Sequence, residues 1–371
     1  MPITIGIVKE TALSEARVAA TPETVKKYIA KGARVIVQPQ AGLLSAYKDS
    51  DYTAAGATLS DDVSSCDLVL GVQTPEGHFK AGAVIIALMS PYNNAELLNR
   101  YASQKLVACG MELVPRITRA QAMDVLSSQS NLAGYKAVLD AASVFTRAFP
   151  MMMTAAGTIP PSRVFVMGAG VAGLQAIATA KRLGAVVSAT DVRAAAKEQV
   201  QSLGGTFVMV DSDEVRQAET AGGYAKEMSD EFKAKQAQLI ADTITRQDIV
   251  ITTALIPGRP APKLVSESMV KSMKTGSVIV DMAVEQGGNC ELSKAGEIVD
   301  VNGVKIIGYR NIPSRIATDA SALYARNVMN LVNLILTPEQ EIRLNMDDDI
   351  IKAIVLTKDG AVVHPQFLNA A

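Results

Sequence analysis

The length, composition and charge of this chain exclude several classes of protein. Its 371 residues exceed one typical domain, and 49% hydrophobic residues suffice for two aliphatic cores. A formal net charge of −1, from interspersed acids and bases, argues against a nucleic-acid-binding surface. Cys66, Cys109 and Cys290 are too widely spaced for a metal motif or a disulfide framework, which suits a reducing cytosol. No apolar run approaches the roughly 20 residues of a membrane span, so we expect a soluble protein.

The first third of the chain alternates short apolar runs with helical segments. The runs are apolar on both faces, which is typical of parallel strands buried between helices. Thr21 and Pro22 predict the start of a helix that ends near Gly32. The predicted strands are Ile3–Val8, Val35–Val37, Leu68–Val72, Val84–Leu88 and Leu106–Cys109.

A polar segment follows, from Arg116 to Ser128, and a helix is predicted to begin near Thr118 and run to Phe149. On such a helix Gln121, Asp124 and Ser128 would share one face. With Arg116 they offer the donors and acceptors that a nicotinamide carboxamide needs. A solvated helix face with an Arg–Asp pair explains the same pattern equally well. The residues of 150–161 then break the helical pattern.

The stretch from Arg163 to Arg193 predicts strand, glycine turn, helix and strand, ending at an acid. Gly168 permits the tight turn, Gly170 allows the backbone to approach a pyrophosphate, and Gly173 allows helix and strand to pack closely. The helix N-terminus offers free N–H groups to phosphates. Asp191 can accept hydrogen bonds from the hydroxyls of an adenosine ribose and would repel a 2′-phosphate, which predicts NAD(H) rather than NADP(H). Arg193 could favour a 2′-phosphate, but Asp191 should dominate.

Further strands complete this domain, and polar loops follow them. The segment 218–228, with Gly223 and Tyr224, predicts either a lid over a bound nucleotide or a plain surface loop. The segment 252–258 is expected at the carboxyl edge of the sheet as a wall of an adenosine pocket, and Asp281, Glu285 and Gly287-Gly288 at the same edge. The strands are predicted at Thr206–Val210, Ile249–Thr252, Val278–Asp281 and Val304–Ile307.

The C-terminal part is expected to return to the first domain. It predicts a helix over Ser321–Leu336 and strands over Ile351–Leu356 and Ala361–Val363. The fold class is therefore α/β, with two Rossmann-like, doubly wound parallel-sheet domains. The nucleotide domain, 136–319, is inserted into a discontinuous domain of 1–135 plus 320–371.

The chain is poor in groups that could act as a catalytic base. Its only histidines are His78 and His364, both expected in solvated loops outside any polar constellation. Dehydrogenases that oxidise an alcohol or amine need such a base, whereas hydride transfer between two nicotinamides moves no proton at the reacting carbons. The sequence therefore favours a reaction whose second reactant is another nicotinamide. No metal is predicted.

Five ordered motifs, RITRAQAMD, GAGVAG…TDVR, TAGGYAKEM, ITTALIPG and DMAVEQGGN, resemble the NAD(H)-binding component, domain I, of proton-translocating NAD(P) transhydrogenases. The resemblance covers essentially the whole chain. It implies a homodimer that docks on a membrane-spanning domain and on a separate NADP(H)-binding domain, peripheral to the cytoplasmic side of the inner membrane. It also implies hydride transfer from NADH to NADP⁺. Some members are fused to transmembrane helices, so a separate subunit and a piece of a longer chain both remain open.

The resemblance also implies roles for individual residues. Arg116, Gln121 and Asp124 match the catalytic nicotinamide loop of the family. The implied NAD(H) contacts are Ser127, Gly168, Ala169, Gly170, Val171, Gly173, Asp191, Val192, Arg193, Gly223, Tyr224, Gln236, Ala254 and Leu255.

Alanine dehydrogenases share the fold and give the alternative function, amino-acid oxidation. They use a Lys and a His from two strand ends of the N-terminal domain. In this chain the corresponding ends, 70–75 and 85–89, contain neither residue type. Glu285 stands where those enzymes have an Asp. These departures argue against the alternative.

Overall fold

The structure is a computed structural model that describes residues 2–193, 195–210, 229–256 and 258–368. The chain divides into two compact units. The discontinuous unit comprises Met1–Gln129 and Pro313–Ala371, and the central unit comprises Ser130–Ile312. The central unit thus begins six residues before the predicted boundary (130 against 136) and ends seven before it (312 against 319). One helix, Val125–Val144, runs through the first boundary, so no turn marks that boundary in the sequence.

The regular elements are numbered here in chain order. The strands are β1 (Thr4–Ile7), β2 (Arg34–Val37), β3 (Thr58–Leu59), β4 (Leu68–Leu70), β5 (Val84–Ala87), β6 (Val107–Gly110), β7 (Met152–Thr154), β8 (Gly157–Ile159), β9 (Arg163–Met167), β10 (Val186–Thr190), β11 (Thr206–Phe207), β12 (Ile249–Thr252), β13 (Val278–Asp281), β14 (Ile298–Val301), β15 (Val304–Ile307), β16 (Val355–Lys358) and β17 (Ala361–Val362). The α-helices are α1 (Pro22–Ala30), α2 (Asp49–Ala54), α3 (Ala95–Ser103), α4 (Val125–Val144), α5 (Val171–Arg182), α6 (Ala196–Ser202), α7 (Asp230–Ile244), α8 (Glu267–Ser272), α9 (Ala317–Ile335) and α10 (Asp349–Ile354).

The discontinuous unit is built on an eight-stranded sheet of order β17-β16-β6-β5-β4-β1-β2-β3. Strands β1 to β6 are parallel, and β16 pairs antiparallel with β6. Its central strands are buried on both faces, as their apolar runs predicted. On α9, Tyr324, Val328 and Leu331 are fully buried in the core of this unit. The predicted return of the C-terminal strands to the first sheet is therefore observed.

The central unit contains a seven-stranded sheet of order β11-β10-β9-β12-β13-β15-β14. All strands are parallel except β14, which runs antiparallel to β15. The chain proceeds outward from β9 through β10 to β11, and then from β12 in the opposite direction. The switch of direction between β9 and β12 leaves a crevice at their carboxyl ends, where ligands bind in this architecture.

One predicted strand was wrong, and one segment that was predicted only to interrupt the helical pattern has regular structure of its own. The run Ile351–Leu356 is mostly helix: Asp348 accepts hydrogen bonds from the main-chain N–H groups of Ile350 and Ile351, and this N-cap starts α10. The buried residues of α10 are spaced for a helix, and the strand β16 begins only at Val355. The broken segment 150–161 contains an exposed antiparallel hairpin, β7 with β8. Among the helices of the described ranges, none has the length and hydropathy that a bilayer span requires.

Candidate functional site

The glycine turn of the central unit joins β9 to α5. Gly168 has a φ of +108°, and a Cβ at this position would lie 2.4 Å from Thr253 Oγ1. A Cβ at Gly173 would lie 1.8 Å from the carbonyl oxygen of Gly168. The packing of the protein itself therefore requires glycine at both positions.

Gly170 differs from these two glycines. It is the N-cap of α5 with a φ of −77°, which any residue adopts, and apart from its own chain neighbours no atom of the described residues lies within 4 Å of a Cβ built there. No side chain of the described chain caps this end of the helix. The first-turn N–H groups, which begin at Val171, and the positive end of the helix dipole therefore border open space that suits an anion.

Asp191 follows β10, and its side chain is only 7% exposed. Its Oδ2 accepts a hydrogen bond from Ala169 N at 2.7 Å, and its Oδ1 accepts one from Arg193 N at 2.9 Å. The Arg193 guanidinium donates to both carboxylate oxygens, at 2.9 and 3.0 Å. Burial opposes ionisation, but these hydrogen bonds outweigh it and hold the pKa of Asp191 below its ordinary value. An ionised acceptor is thus fixed beside the glycine turn, and Arg193 is bound to it.

Gln236, on α7, supports the end of the same strand. Its Nε2 donates to Thr190 Oγ1 at 3.1 Å, and its Oε1 accepts from Val210 N at 2.9 Å. Next to Asp191, the Val192 side chain is 72% exposed. The structure therefore places an exposed apolar side chain and a fixed carboxylate together at the carboxyl end of β10.

The loop after β12 is held by a residue that sequence reasoning missed. Asn289 is fully buried, accepts a hydrogen bond from Ala254 N at 3.0 Å and donates to Ala254 O at 2.8 Å. The next residues, Leu255 and Ile256, are 48% and 44% exposed. The neighbouring Gly287-Gly288 pair marks the loop in the sequence, but only the fold brings Asn289 to Ala254.

Asp281 anchors the loop that follows β13 and contains Gly287-Gly288. Its side chain is buried and is therefore not accessible to a ligand. Its fully buried carboxylate accepts hydrogen bonds from three main-chain N–H groups, those of Ala283, Asn289 and Cys290, and one from the Ser293 hydroxyl. The expected position at the carboxyl edge of the sheet is observed, and the contacts give Asp281 a structural role there. Glu285 accepts a hydrogen bond from Asn311 N.

The polar segment 116–128 of the discontinuous unit does not form the single helix that was predicted. Thr118–Met123 is a 3₁₀ helix, the backbone breaks at Asp124 with a ψ of 91°, and α4 starts at Val125. Asp124 caps α4, because its carboxylate accepts hydrogen bonds from Ser127 N at 2.9 Å and Ser127 Oγ at 2.6 Å. The prediction that Gln121, Asp124 and Ser128 share one face of a single helix was wrong. An acidic residue followed by polar residues three and four positions later fits an N-cap as well as one face of a helix, and here Asp124 is the N-cap.

Arg116 and Gln121 are exposed, and within the described part of the chain neither side chain makes a hydrogen bond or ion pair. Asp124 and Ser127 bind each other instead of Arg116, so the alternative of an Arg–Asp pair is not observed. Two free polar side chains therefore precede a capped helix. The predicted lid residues Gly223 and Tyr224 lie outside the described residues.

The strand ends of the discontinuous unit contain a buried polar cluster. Arg17 donates to Glu15 through Nε at 2.8 Å and Nη2 at 2.6 Å, and to Gln129 Oε1 at 2.9 Å. Gln73, after β4, donates to Glu15 at 2.8 Å. Hydrogen bonds and charge from Arg17 outweigh burial and lower the pKa of Glu15 to about 2. Arg17 is thus bound within the protein.

The two histidines differ in environment. His78 is exposed, as expected. His364 is only 8% exposed, stacks on Phe367 and accepts a hydrogen bond from Gln366 N, so the prediction of a solvated loop was wrong for it. Burial lowers its pKa. In the described part of the chain, no group of three or more His, Cys, Asp or Glu is arranged to hold a metal ion.

Comparison with known proteins places this architecture in a family. Residues 6–133 match the family described as alanine dehydrogenase/PNT, N-terminal domain, and residues 137–365 match its C-terminal domain. The chain is 53% identical to the first portion of the NAD(P) transhydrogenase alpha subunit of Rhodospirillum rubrum, over 97% of this chain and 98% of the relative. Alanine dehydrogenase of Methanococcus maripaludis is 30% identical over 77% of this chain and 74% of the relative.

A solved structure gives the same result. The crystal structure of transhydrogenase from Sinorhizobium meliloti matches with a TM-score of 0.89 and 52% identity, over 97% of this chain and all of that one. The similarity thus extends through both units and is far higher to transhydrogenases than to alanine dehydrogenases. The chain belongs to the alanine dehydrogenase/PNT family and, within it, to the NAD(P) transhydrogenase alpha subunits.

Proposed function

We propose that this chain is the NAD(H)-binding, hydride-donating subunit of a proton-translocating transhydrogenase. In this proposal it passes hydride directly to NADP⁺ held by a separate NADP(H)-binding domain, and a membrane domain couples the reaction to proton translocation. The observation that carries the proposal is the open space at Gly170 beside the uncapped N-terminus of α5.

The phosphate end of the site fits a dinucleotide. Packing within the protein requires glycine at positions 168 and 173. It leaves Gly170 unconfined, so the described residues give no packing reason for a glycine at position 170. A pyrophosphate lying against the backbone explains it, because a side chain would occupy that space. The N–H groups of Val171 and the residues after it would bind the phosphate oxygens.

The adenosine end fits NAD(H) better than NADP(H). Asp191 is ionised and would accept hydrogen bonds from the ribose hydroxyls, whereas a 2′-phosphate would bring like charges together. The Arg193 guanidinium is bound by Asp191, so it would neutralise the charge of a 2′-phosphate only in part. The exposed side chains of Val192 and Leu255 would pack against the adenine, with Ala254 and Gln236 supporting the two loops.

Arg116 and Gln121 are assigned to orienting the nicotinamide carboxamide. Both are exposed and unpaired within the described residues, so a ligand does not have to displace an internal partner. Asp124 and Ser127 complete this group by fixing the start of α4. When bound, NADH supplies a hydride to a second nicotinamide, and no proton leaves either reacting carbon. The chain's own residues then have to position a ring and exclude water, and none has to act as a base.

Partner subunits follow from this assignment. We propose a homodimer that sits on the cytoplasmic side of a membrane through the membrane-spanning partner. Gly223 and Tyr224, which lie outside the described residues, are assigned to nucleotide binding on the resemblance alone.

The alternative, amino-acid oxidation, finds no support at the strand ends of the discontinuous unit. Gln73 donates to Glu15, and Met89 is fully buried, so neither position offers a base. Arg17 is occupied by Glu15 and Gln129, which leaves no exposed guanidinium at this cluster for a substrate carboxylate.

The test is a hydride-transfer assay with a purified NADP(H)-binding domain of a related transhydrogenase, added or omitted. NADH oxidation only in the presence of that domain and NADP⁺ would support the proposal. Rapid NADH consumption with pyruvate and ammonia alone would establish amino-acid oxidoreductase activity instead. Tight NADH binding without turnover in any mixture would indicate a non-catalytic NAD-binding protein.

A further inference from the structure

The backbone around Asp124 is fixed by α9, a helix more than 190 residues further along the chain. Asn327, on this helix, donates from Nδ2 to Ala122 O at 2.8 Å, on one side of the break at Asp124. On the other side, Ser128 Oγ donates to Asn327 Oδ1 at 2.7 Å. The Nδ2 and Oδ1 groups of the Asn327 side chain therefore bind the chain before and after the break at Asp124.

The surroundings make Asn327 a firm support. Its side chain is only 8% exposed, and the neighbouring Val328 and Leu331 are fully buried in the core of the discontinuous unit. A rigid helix thus carries the amide. By contrast, the second donor to Ala122 O, Asn330 Nδ2 at 2.9 Å, lies in an exposed contact.

The 3₁₀ turn is also held by packing, because Ala120 and Met123 are buried in the core of the same unit. Arg119 donates to both carboxylate oxygens of Asp348, at 2.8 and 2.7 Å, but the guanidinium is about half exposed. Exposed ion pairs of this kind contribute little to stability. At the Ala122 carbonyl, directly after Gln121, a largely buried side chain of a distant helix is hydrogen-bonded to the backbone of this turn, so the contact helps to set the direction of the Gln121 side chain.

We propose that Asn327 is a positioning residue for hydride transfer: by holding Ala122 O and the Ser128 hydroxyl, it orients the turn that presents Gln121. The inference rests on the proposed function. Asn327 touches no reactant and acts through the backbone. Because hydride transfer demands a near-attack geometry, a displacement of about 1 Å in such a turn can cost about a hundredfold in rate.

The test compares Asn327→Asp with Asn333→Asp. The first variant keeps the shape and one acceptor but loses the donor to Ala122 O and places a charge in a buried position. The second makes the same chemical change on the exposed face of the same helix, where the Asn333 side chain accepts a hydrogen bond from Lys31. It controls for added charge and for the stability of α9.

Two measurements separate positioning from general structural support. In the chain without ligand, Asn327→Asp should speed hydrogen exchange of the amides within 118–128, and Asn333→Asp should not. With the NADP(H)-binding domain, Asn327→Asp should slow single-turnover hydride transfer about tenfold or more, while NADH affinity changes less than about threefold. Equal losses in both quantities, or the same result as Asn333→Asp, would overturn the inference.

A double-mutant cycle tests the route of the effect. In a Gln121→Asn background, Asn327→Asp should slow transfer only slightly further, because the side chain it orients is already changed. Fully additive effects would exclude action through Gln121. If Asn327→Asp fails to fold, the second variant is Ser128→Ala, which removes the hydroxyl that donates to Asn327 Oδ1 and that also contacts Val125 O and Gln129 Nε2. It should produce a smaller decrease in transfer rate, and an unchanged rate would contradict the role.

Failure of the two proposals can be told apart. Absence of transfer by the unmodified chain in the presence of the partner domain would refute the proposed function, and the positioning role with it. Normal transfer that Asn327→Asp leaves unchanged would refute the positioning role alone.

Discussion

The carboxylate of Asp191 accepts a hydrogen bond from the main-chain N–H of Ala169 at 2.7 Å, so the end of β10 is joined to the middle of the glycine turn. The residue proposed to recognise the ribose therefore also shapes the turn proposed to bind the pyrophosphate. Because the pKa of Asp191 is lowered despite its burial, the carboxylate is ionised at neutral pH and this hydrogen bond is charge-assisted. Substitutions of Asp191 should consequently affect both affinity and specificity.

Asp191→Ala should weaken NADH binding by about tenfold or more, because hydrogen bonds to a charged group contribute about 1.5–3 kcal/mol. It should also reduce the preference for NADH over NADPH, since the charge that repels a 2′-phosphate is gone and Arg193 is released. Fluorescence titrations with both nucleotides measure the two affinities. Asp300→Ala, on the exposed edge strand β14 of the same unit, is the control, because this carboxylate accepts a hydrogen bond only from Gly303 N among the described residues. An unchanged preference would remove Asp191 from its proposed role.

Gly170→Ala and Gly173→Ala should have opposite consequences. Gly170→Ala fits the folded protein, because its φ is ordinary and no described atom lies near the new Cβ, so thermal stability should be retained while NADH affinity decreases markedly. Gly173→Ala places a methyl group 1.8 Å from Gly168 O and should lower the free energy of unfolding by about 3 kcal/mol. Calorimetry and NADH titration check both. Unchanged affinity in Gly170→Ala would mean that no ligand approaches there.

Gln121→Asn should slow hydride transfer far more than it weakens NADH binding. The shorter side chain keeps the amide but withdraws it by one methylene, which alters the orientation of a ring more than the affinity for a whole dinucleotide. Single-turnover transfer rates and NADH titrations give the two quantities. Gln238→Asn, on the exposed surface of α7, is the matched control. An equal loss of rate and affinity would identify Gln121 as an ordinary nucleotide contact.

The stability of the protein should decrease between about pH 4.5 and pH 7 because of Glu10. Burial raises the pKa of Glu10 to about 7, against the opposing hydrogen bonds from Val72 N and Gln73 N. The folded protein thus holds this proton more tightly than the unfolded chain. The contribution of Glu10 to the free energy of unfolding is fully present below about pH 4.5. It is lost as the pH rises through 7, and the loss amounts to at most about 3 kcal/mol.

Glu10→Gln should flatten this dependence. It removes the titrating group and one of two acceptors, so the variant should be about 1 kcal/mol less stable than the original at pH 5. At pH 8 it should be at least as stable. Glu15 does not confound the measurement, because its pKa of about 2 confines its contribution to more acidic conditions. Denaturant unfolding at several pH values checks this, and an identical slope in both proteins would contradict it.

Local signals made most of the fold predictable. Apolar runs bounded by turns identified the parallel strands, and the glycines after β9 identified the turn before α5, because each pattern depends on neighbours within about ten residues. The same reasoning failed at Ile351–Leu356, where β-branched residues form a capped helical turn before the strand. It failed again at Asp124, which was predicted in the interior of a helix. The polar residues after it are spaced as they would be after an N-cap, and Asp124 caps α4.

By itself the sequence determined the two α/β units, the glycine turn and the acid at the end of β10. Only the tertiary structure decided which polar groups are free and which are bound. Asn327 lies 205 residues from Ala122, and Asn289 lies 35 from Ala254, so no local pattern could pair them. Backbone groups that secondary structure leaves unpaired must find partners when they are buried, and those partners come from whichever distant element packs against them.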